Sequence, residues 1–210
     1  MRLISVNVGR PQIVQWHGRP VLTSIWKTAV NGTVAVAANN LFGDEQSDLT
    51  VHGGPNKAVY AYPSEHYQFW KRELGVADLP WGSFGENLTT VGMTESDVAV
   101  GDRVRIGTAE LVVTQPRLPC YKLGIRFGDG QMVKRFMDSR RSGVYFSIAR
   151  AGELKQGDAI ERISRVVEPV TIAEIVALFA GDTHDPELVR RALAADALPP
   201  FWKDEFRGLI

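Results

Sequence analysis

The sequence predicts a mainly β chain: a barrel of short strands with a few helices over residues 1–165, then a small all-α extension of three helices over residues 168–210. Three observations lead there. Apolar and polar residues alternate with period two at the N-terminus, the pattern of a half-buried strand. Turn signals recur at close spacing through the first part of the chain, which favours a barrel over a parallel α/β sheet. After Thr171 the apolar period becomes that of a helix.

Taken in order, Ile4, Val6 and Val8 alternate with Ser5 and Asn7 in the first strand. Segments 12–16 and 21–26 flank His17-Gly18-Arg19-Pro20, and Asn31-Gly32 lies between further apolar runs. Both are hairpin signals, the Asn-Gly pair because both residues tolerate positive φ. Ser64 is placed to cap a helix with Tyr67, Trp70 and Leu74 on one face. Val98 and Val100 lead through Gly101-Asp102 to Val104 and Ile106, and through Gly107 to Leu111 and Val113. Residues 131–138 read as a second helix, and Gly157-Asp158 introduces a strand carrying Ile160 and Ile163. Thr171 and Glu174 then form a T-x-x-E capping box ahead of the stripe Ile172, Ile175, Val176 and Phe179, which Gly181 ends. Asp185 caps a helix with Pro186 at its first position, and Pro200 opens another carrying Trp202 and Phe206. Three helices in so short a segment bury too little for a core of their own. They must pack on the barrel or on a second subunit, which leaves a homodimer as one arrangement.

Charge bounds the partners. The 210 residues carry 24 Lys and Arg against 24 Asp and Glu, a formal net charge of zero. Such a balance predicts no nucleic-acid groove, so any anion site is local. No run of about 18 apolar residues is present, so no membrane span is expected. The start, MRLISVNVGR, has a strand pattern and no signal-peptide core. One cysteine allows no internal disulfide and no multi-thiolate zinc site. The expected location is the cytoplasm.

The most informative stretch is Gln115-Pro116-Arg117-Leu118-Pro119-Cys120-Tyr121-Lys122-Leu123. Its prolines stop the preceding strand, 110–114, and leave Cys120 on a stiffened loop between Arg117 and Lys122. Cations lower a thiol's pKa, and a metal takes cysteine as thiolate. A buried structural cysteine is the alternative. In His52-Gly53-Gly54-Pro55-Asn56-Lys57 the glycines let backbone approach a ligand and Lys57 adds charge. An ordinary turn is the other reading. Gly85-Glu86-Asn87 sets a carboxylate and a carboxamide beside a glycine, and an amide suits the edge of a pterin or purine. Arg140 and Arg141 could hold a phosphate, whereas Lys27 by itself reads as a solvated strand end. His17, His66 and His184 show no metal spacing.

Together these stretches resemble the MOSC domain, named for the C-terminal domain of molybdenum-cofactor sulfurases. Six blocks stand in its order: Ile25-Trp26-Lys27, Gly43-Asp44-x-x-x-Asp48, HGGPNKAVYAYP, GSFGENLTT, QPRLPCYKL and residues 139–145. The third and fourth blocks and the terminal helices resemble the YiiM-like subgroup. The resemblance implies a MOSC-type mixed β-barrel with molybdenum cofactor (Mo-molybdopterin) in a cleft. Cys120 would ligate the metal, and so be the catalytic residue. Lys27, His52, Gly53, Gly54, Lys57, Asn87, Arg117, Lys122 and, where a Gly-Arg-x-Gly pattern is expected, Arg141 would bind pterin or phosphate.

Related proteins reduce N-hydroxylated compounds. The implied activity is therefore a molybdenum-dependent oxidoreductase that converts hydroxylamines or N-hydroxylated bases to amines. No flavin, nicotinamide or iron–sulfur motif is present, so a separate electron-transfer protein, a flavoprotein or ferredoxin type, is the expected partner. A sulfur carrier with a Cys120 persulfide and a non-catalytic cofactor carrier are the alternatives.

Overall fold

The computed structural model describes residues 1–37, 39–47 and 53–210. Eight strands form one sheet in the order β13-β9-β10-β11-β7-β8-β1-β4. These are β1 (Arg2–Val8), β4 (Thr28–Ala29), β7 (Val59–Pro63), β8 (Leu88–Val91), β9 (Arg103–Ile106), β10 (Ala109–Pro116), β11 (Val144–Arg150) and β13 (Ile160–Ser164). Its pairs are antiparallel except for β7 with β8. A smaller sheet joins β12 (Gly152–Leu154) to β5 (Val34–Ala37) and β6 (Asn40–Leu41), and β2 (Gln12–Trp16) with β3 (Arg19–Thr23) makes a separate hairpin.

The mainly β reading holds, but the expected barrel does not close. β13 and β4 end the large sheet without pairing to each other among the described residues. Its ladders carry register shifts, one in β1, two along β10 and one in β13, which locally bend and twist strands. Its start is stitched to the turn before β13 by Leu3 N–H to the Asp158 carbonyl at 3.0 Å and Ile160 N–H to the Met1 carbonyl at 2.9 Å.

The 17–18 turn forms its hairpin, with His17 at φ 49 and Gly18 at φ 74. Asn31-Gly32 does not. Val30 N–H donates to the Val6 carbonyl at 2.9 Å, which keeps the chain along β1, so the strands on either side of the turn enter different sheets. α1 (Glu65–Leu74) begins where expected, yet the Ser64 side chain does not cap it. α3 (Met132–Asp138) is present, and α2 (Tyr121–Phe127) was not foreseen.

Every residue of β7 is buried. Val59 and Ala61 face an aliphatic core, while Tyr60 and Tyr62 face an aromatic one with Tyr67, Trp70, Phe84 and Phe136. That is period-two alternation with both faces covered. The aliphatic core also takes in the three C-terminal helices, α4 (Ile172–Ala180), α5 (Pro186–Ala194) and α6 (Pro200–Arg207), through Ile172, Ile175, Leu178, Val189, Trp202 and Phe206. The Thr171–Glu174 capping box and the Asp185 cap both form. Buried Trp202 adds a polar anchor, its Nε1–H donating to Gln115 Oε1 at 2.8 Å. Arg140 fastens the other end of the helices with two bonds to Asp182, at 2.6 and 2.7 Å.

Deleting residues 168–210 should therefore yield an aggregating protein, because a large apolar face of the sheet is uncovered. Light scattering and a melting curve check this. A truncated chain that stays monodisperse and melts like the parent contradicts the packing described.

Candidate functional site

Loops from five parts of the chain meet at one cleft, a cavity of about 90 Å³ lined by Lys27, Lys57, Asn87, Arg117, Cys120 and Lys122 among others. A groove of about 550 Å³ adjoins it and shares Lys57, Cys120 and Tyr145 with it. Gly53 and Gly54 line the groove. Gly54 has φ 94, and a Cβ there would meet nothing within 4 Å. Glycine is needed for its backbone angle, and its face stays open to whatever enters.

Cys120 ends the stiffened loop in an extended conformation (φ −114, ψ 172) as the residue that starts α2. Its carbonyl accepts from Leu123 N–H at 2.9 Å. The sequence YKLGIRF therefore turns helical directly after the cysteine, which fixes Lys122 one residue into the helix with its side chain in the cleft. Lys122 Nζ lies 3.4 Å from Ser47 Oγ.

Arg117 is buried beneath the cleft. Its Nη1 donates to the Phe84 carbonyl, and its Cζ stands 4.8 Å from the Tyr60 ring centroid. Burial works against the charge, but Tyr60, Tyr145 and Cys120 around it more than offset that and hold the guanidinium above its usual range. Arg117 stays charged. Lys57 is half-buried, and burial pushes its ammonium below the usual range.

Lys27 is not a solvated strand end. It is buried and paired with Asp44, whose Oδ1 also accepts from Gly9 N–H at 2.8 Å and whose Oδ2 accepts from Asn87 Nδ2 at 2.9 Å. Burial lowers the Lys27 pKa, and Asp44 pulls it back up. Asn87 lines the cleft as expected and has a structural role as well. Its carboxamide already receives Tyr60 N–H at 3.1 Å and donates to Asp44, so it positions the carboxylate. Glu86 is likewise structural. Its fully buried carboxyl, raised by burial, gathers N–H groups of Gly82 (2.8 Å) and Phe84 (3.1 Å) and the hydroxyls of Tyr67 and Thr89. This knots the loop in which Gly85 (φ 75) passes so close that a Cβ would lie 2.9 Å from Ile25 Cγ1.

Arg141 does not join the cleft. The left-handed turn at Arg140 (φ 58) directs it onto α1, where its Cζ lies 3.7 Å from the Phe69 ring centroid. His52 lies outside the described residues. Residue patterns missed Asp44, Ser24, Tyr60 and Tyr145, which also line the cleft. Asp44 stood in a quoted block, whereas Ser24 carries no sequence signal. The Ser24 hydroxyl is buried without a hydrogen-bond partner among the described residues, and a bound polar ligand would satisfy it.

Three basic side chains (Lys57, Arg117, Lys122), a thiol, an open glycine backbone and the Ser24 hydroxyl suit an anionic group bearing a thiolate-binding metal. The residues therefore fit molybdenum cofactor. Among the described residues no cluster of His, Cys, Asp and Glu suits a metal held by protein alone, and no helix is long and apolar enough to cross a membrane.

A family described as "MOSC domain" matches residues 48–161, and one described as "YiiM-like, 3-alpha helix domain" matches residues 170–210. The chain is similar to "Protein YiiM" of Escherichia coli (strain K12), 37% identical over 205 residues covering 95% of this chain and 88% of that one. It is also similar to a "Reductase" of Gibberella moniliformis, 33% identical over 168 residues, which cover 78% of this chain but 29% of that longer protein. The crystal structure of YiiM from Geobacillus stearothermophilus superposes with a TM-score of 0.81 at 32% identity, covering 99% of this chain and 98% of that one.

Proposed function

The chain belongs to the MOSC-domain family and carries its YiiM-like three-helix domain, and from that premise we propose that it is a molybdenum-cofactor reductase of N-hydroxylated compounds. The observation that carries this reading is the meeting of Cys120, Lys57, Arg117, Lys122 and the Ser24 hydroxyl in one cleft. The reaction converts R–NHOH, two electrons and two protons into R–NH2 and water, breaking the N–O bond. When bound, the cofactor supplies the two-electron redox centre.

The protein's own residues bind and orient. The Cys120 sulfur would ligate the metal, and Pro116 at the end of β10 with Pro119 in the loop limits its excursions. Lys57, Lys122 and Arg117 hold the anionic end, assisted by Ser24 Oγ. Lys57 borders both cavities, and its ammonium, lowered by burial, can hold a proton at Nζ on the cleft wall. Tyr145 borders both as well, and burial raises its phenol, so it remains a neutral donor. Electrons come in this reading from a separate flavoprotein or ferredoxin-type partner.

Metal analysis of freshly purified protein, followed by turnover of hydroxylamine with reduced viologen as artificial donor, tests the reading. Near-stoichiometric molybdenum with turnover is expected. Molybdenum without turnover points to a cofactor carrier, and a Cys120 persulfide without molybdenum to a sulfur carrier. Lys122→Ala should lower molybdenum retention through dialysis about tenfold, the value of one charge-assisted hydrogen bond. Unchanged retention would take Lys122 out of the binding set.

A further inference from the structure

Glu95 lies outside the cleft lining, yet both oxygens of its carboxylate are committed. The side chain is only 7% exposed. Its Oε2 stands 2.7 Å from Nε2 of His66 on α1, and its Oε1 accepts the buried Gly143 N–H at 2.7 Å. The Glu95 backbone carbonyl accepts Ala173 N–H, in the first turn of α4, at 3.0 Å. One residue thus joins α1, the turn that leads into β11, and the C-terminal helices. Packing alone does not call for a carboxylate there, because burying its charge costs stability that an apolar side chain would not.

The turn that Glu95 grips reaches the cleft. Gly143 is left-handed (φ 65), and a Cβ there would stand 2.6 Å from the Ala61 carbonyl oxygen and 2.8 Å from the Tyr60 hydroxyl. The neighbouring Ser142 carbonyl accepts from that same hydroxyl at 2.8 Å. Tyr60 lines the cleft, and the Arg117 guanidinium lies over its ring, with Cζ 4.8 Å from the centroid. A cation held by a ring face moves with the ring.

We infer that Glu95 is a positioning residue for Arg117: paired with His66, it fixes the 142–143 turn, the turn fixes the Tyr60 ring, and the ring fixes the guanidinium in the cleft. This rests on the reading of Arg117 as a cofactor-binding group. Because α4 holds the Glu95 carbonyl, the C-terminal helices share in the same hold.

Two readouts test this, and one needs no cofactor. In the cofactor-free protein the Arg117 guanidinium resonance, assigned by its loss in Arg117→Lys, should move in nitrogen–proton correlation spectra of Glu95→Ala as the guanidinium leaves the Tyr60 ring current. Glu95→Gln, which keeps an acceptor for Gly143 N–H, should hold it near the parent position. In cofactor-loaded protein, molybdenum retention through dialysis should fall about tenfold in Glu95→Ala, the lower end of the cost of losing a residue that supports a metal site from behind. Glu95→Gln should recover most of that loss. In a Tyr60→Phe background, which lacks the hydroxyl that bonds to the turn, Glu95→Ala should cost little more. An Arg117 resonance unmoved in Glu95→Ala, or losses that simply add in the double variant, overturns the inference. Should Glu95→Ala not fold, Glu95→Asp, its carboxylate withdrawn by one methylene, takes its place in every arm. If the parent holds no molybdenum, the cofactor reading fails and the Arg117 resonance alone decides the positioning role.

Discussion

Cys120→Ser protein, reconstituted with cofactor, should lose reduction of hydroxylamine by at least about a hundredfold, the upper end of the cost of losing a residue that merely hydrogen-bonds to a metal ligand. Oxygen is a harder donor than sulfur, and a serine hydroxyl does not ionise at neutral pH, so it is a poor ligand for a soft metal site. The fold should survive. The swap is nearly isosteric, so the stability change should be about 1 kcal/mol or less. The backbone that positions residue 120 is held by the flanking prolines and by the Leu123 N–H bond to its carbonyl, none of which involves the sulfur. Steady-state rates and a melting curve on the same preparation decide the matter. A variant that retains the parent rate removes Cys120 from the chemistry and requires another metal ligand.

Asp44→Ala should be the most destabilising single change in the cleft, costing about 3–5 kcal/mol in urea or thermal unfolding. It strands the buried Lys27 ammonium, the Gly9 N–H and the Asn87 Nδ2 that now converge on the carboxylate. The pH dependence should follow from Lys27. Its folded pKa lies below its ordinary 10.5 because of burial, and losing Asp44 lowers it further. Between that depressed value and 10.5 the unfolded chain binds more protons than the folded one, so stability rises with pH. The deficit of Asp44→Ala should accordingly narrow on the alkaline side. Adding Lys27→Met to Asp44→Ala should recover part of the loss at neutral pH, since no unpaired charge then remains. If Asp44→Ala unfolds with the parent at every pH, the ion pair does not brace the cleft.

Local chemistry made some of this architecture legible in the sequence. The Thr171–Glu174 box, the Asp185–Pro186 start and the 17–18 hairpin are each specified by a few adjacent residues, and each forms. The cleft was partly readable because its cations sit beside turn-forming residues. What escaped depended on distant partners. Lys27 looked like a surface charge because Asp44, the residue that permits its burial, lies in another loop. The structural role of Asn87 was hidden because nothing local reveals that Tyr60 and Asp44 engage its amide. The helix after Cys120 was hidden by its internal Gly124 and the prolines ahead of it, which together resemble a loop. The register shifts along β1, β10 and β13 were equally hidden, because bulges leave little trace in a single sequence.

Strand β7 gives the protein its thermodynamic unity. Its valine and alanine belong to the core that the C-terminal helices share, and its tyrosines belong to the aromatic core beneath the cleft. One five-residue strand is thus a party wall between two cores. Melting either core should remove the backing of the other, so the helical extension and the cleft are expected to unfold together. A lesion far out on α6 would then be felt at Cys120 as a shorter-lived native state, with no contact to the cleft needed.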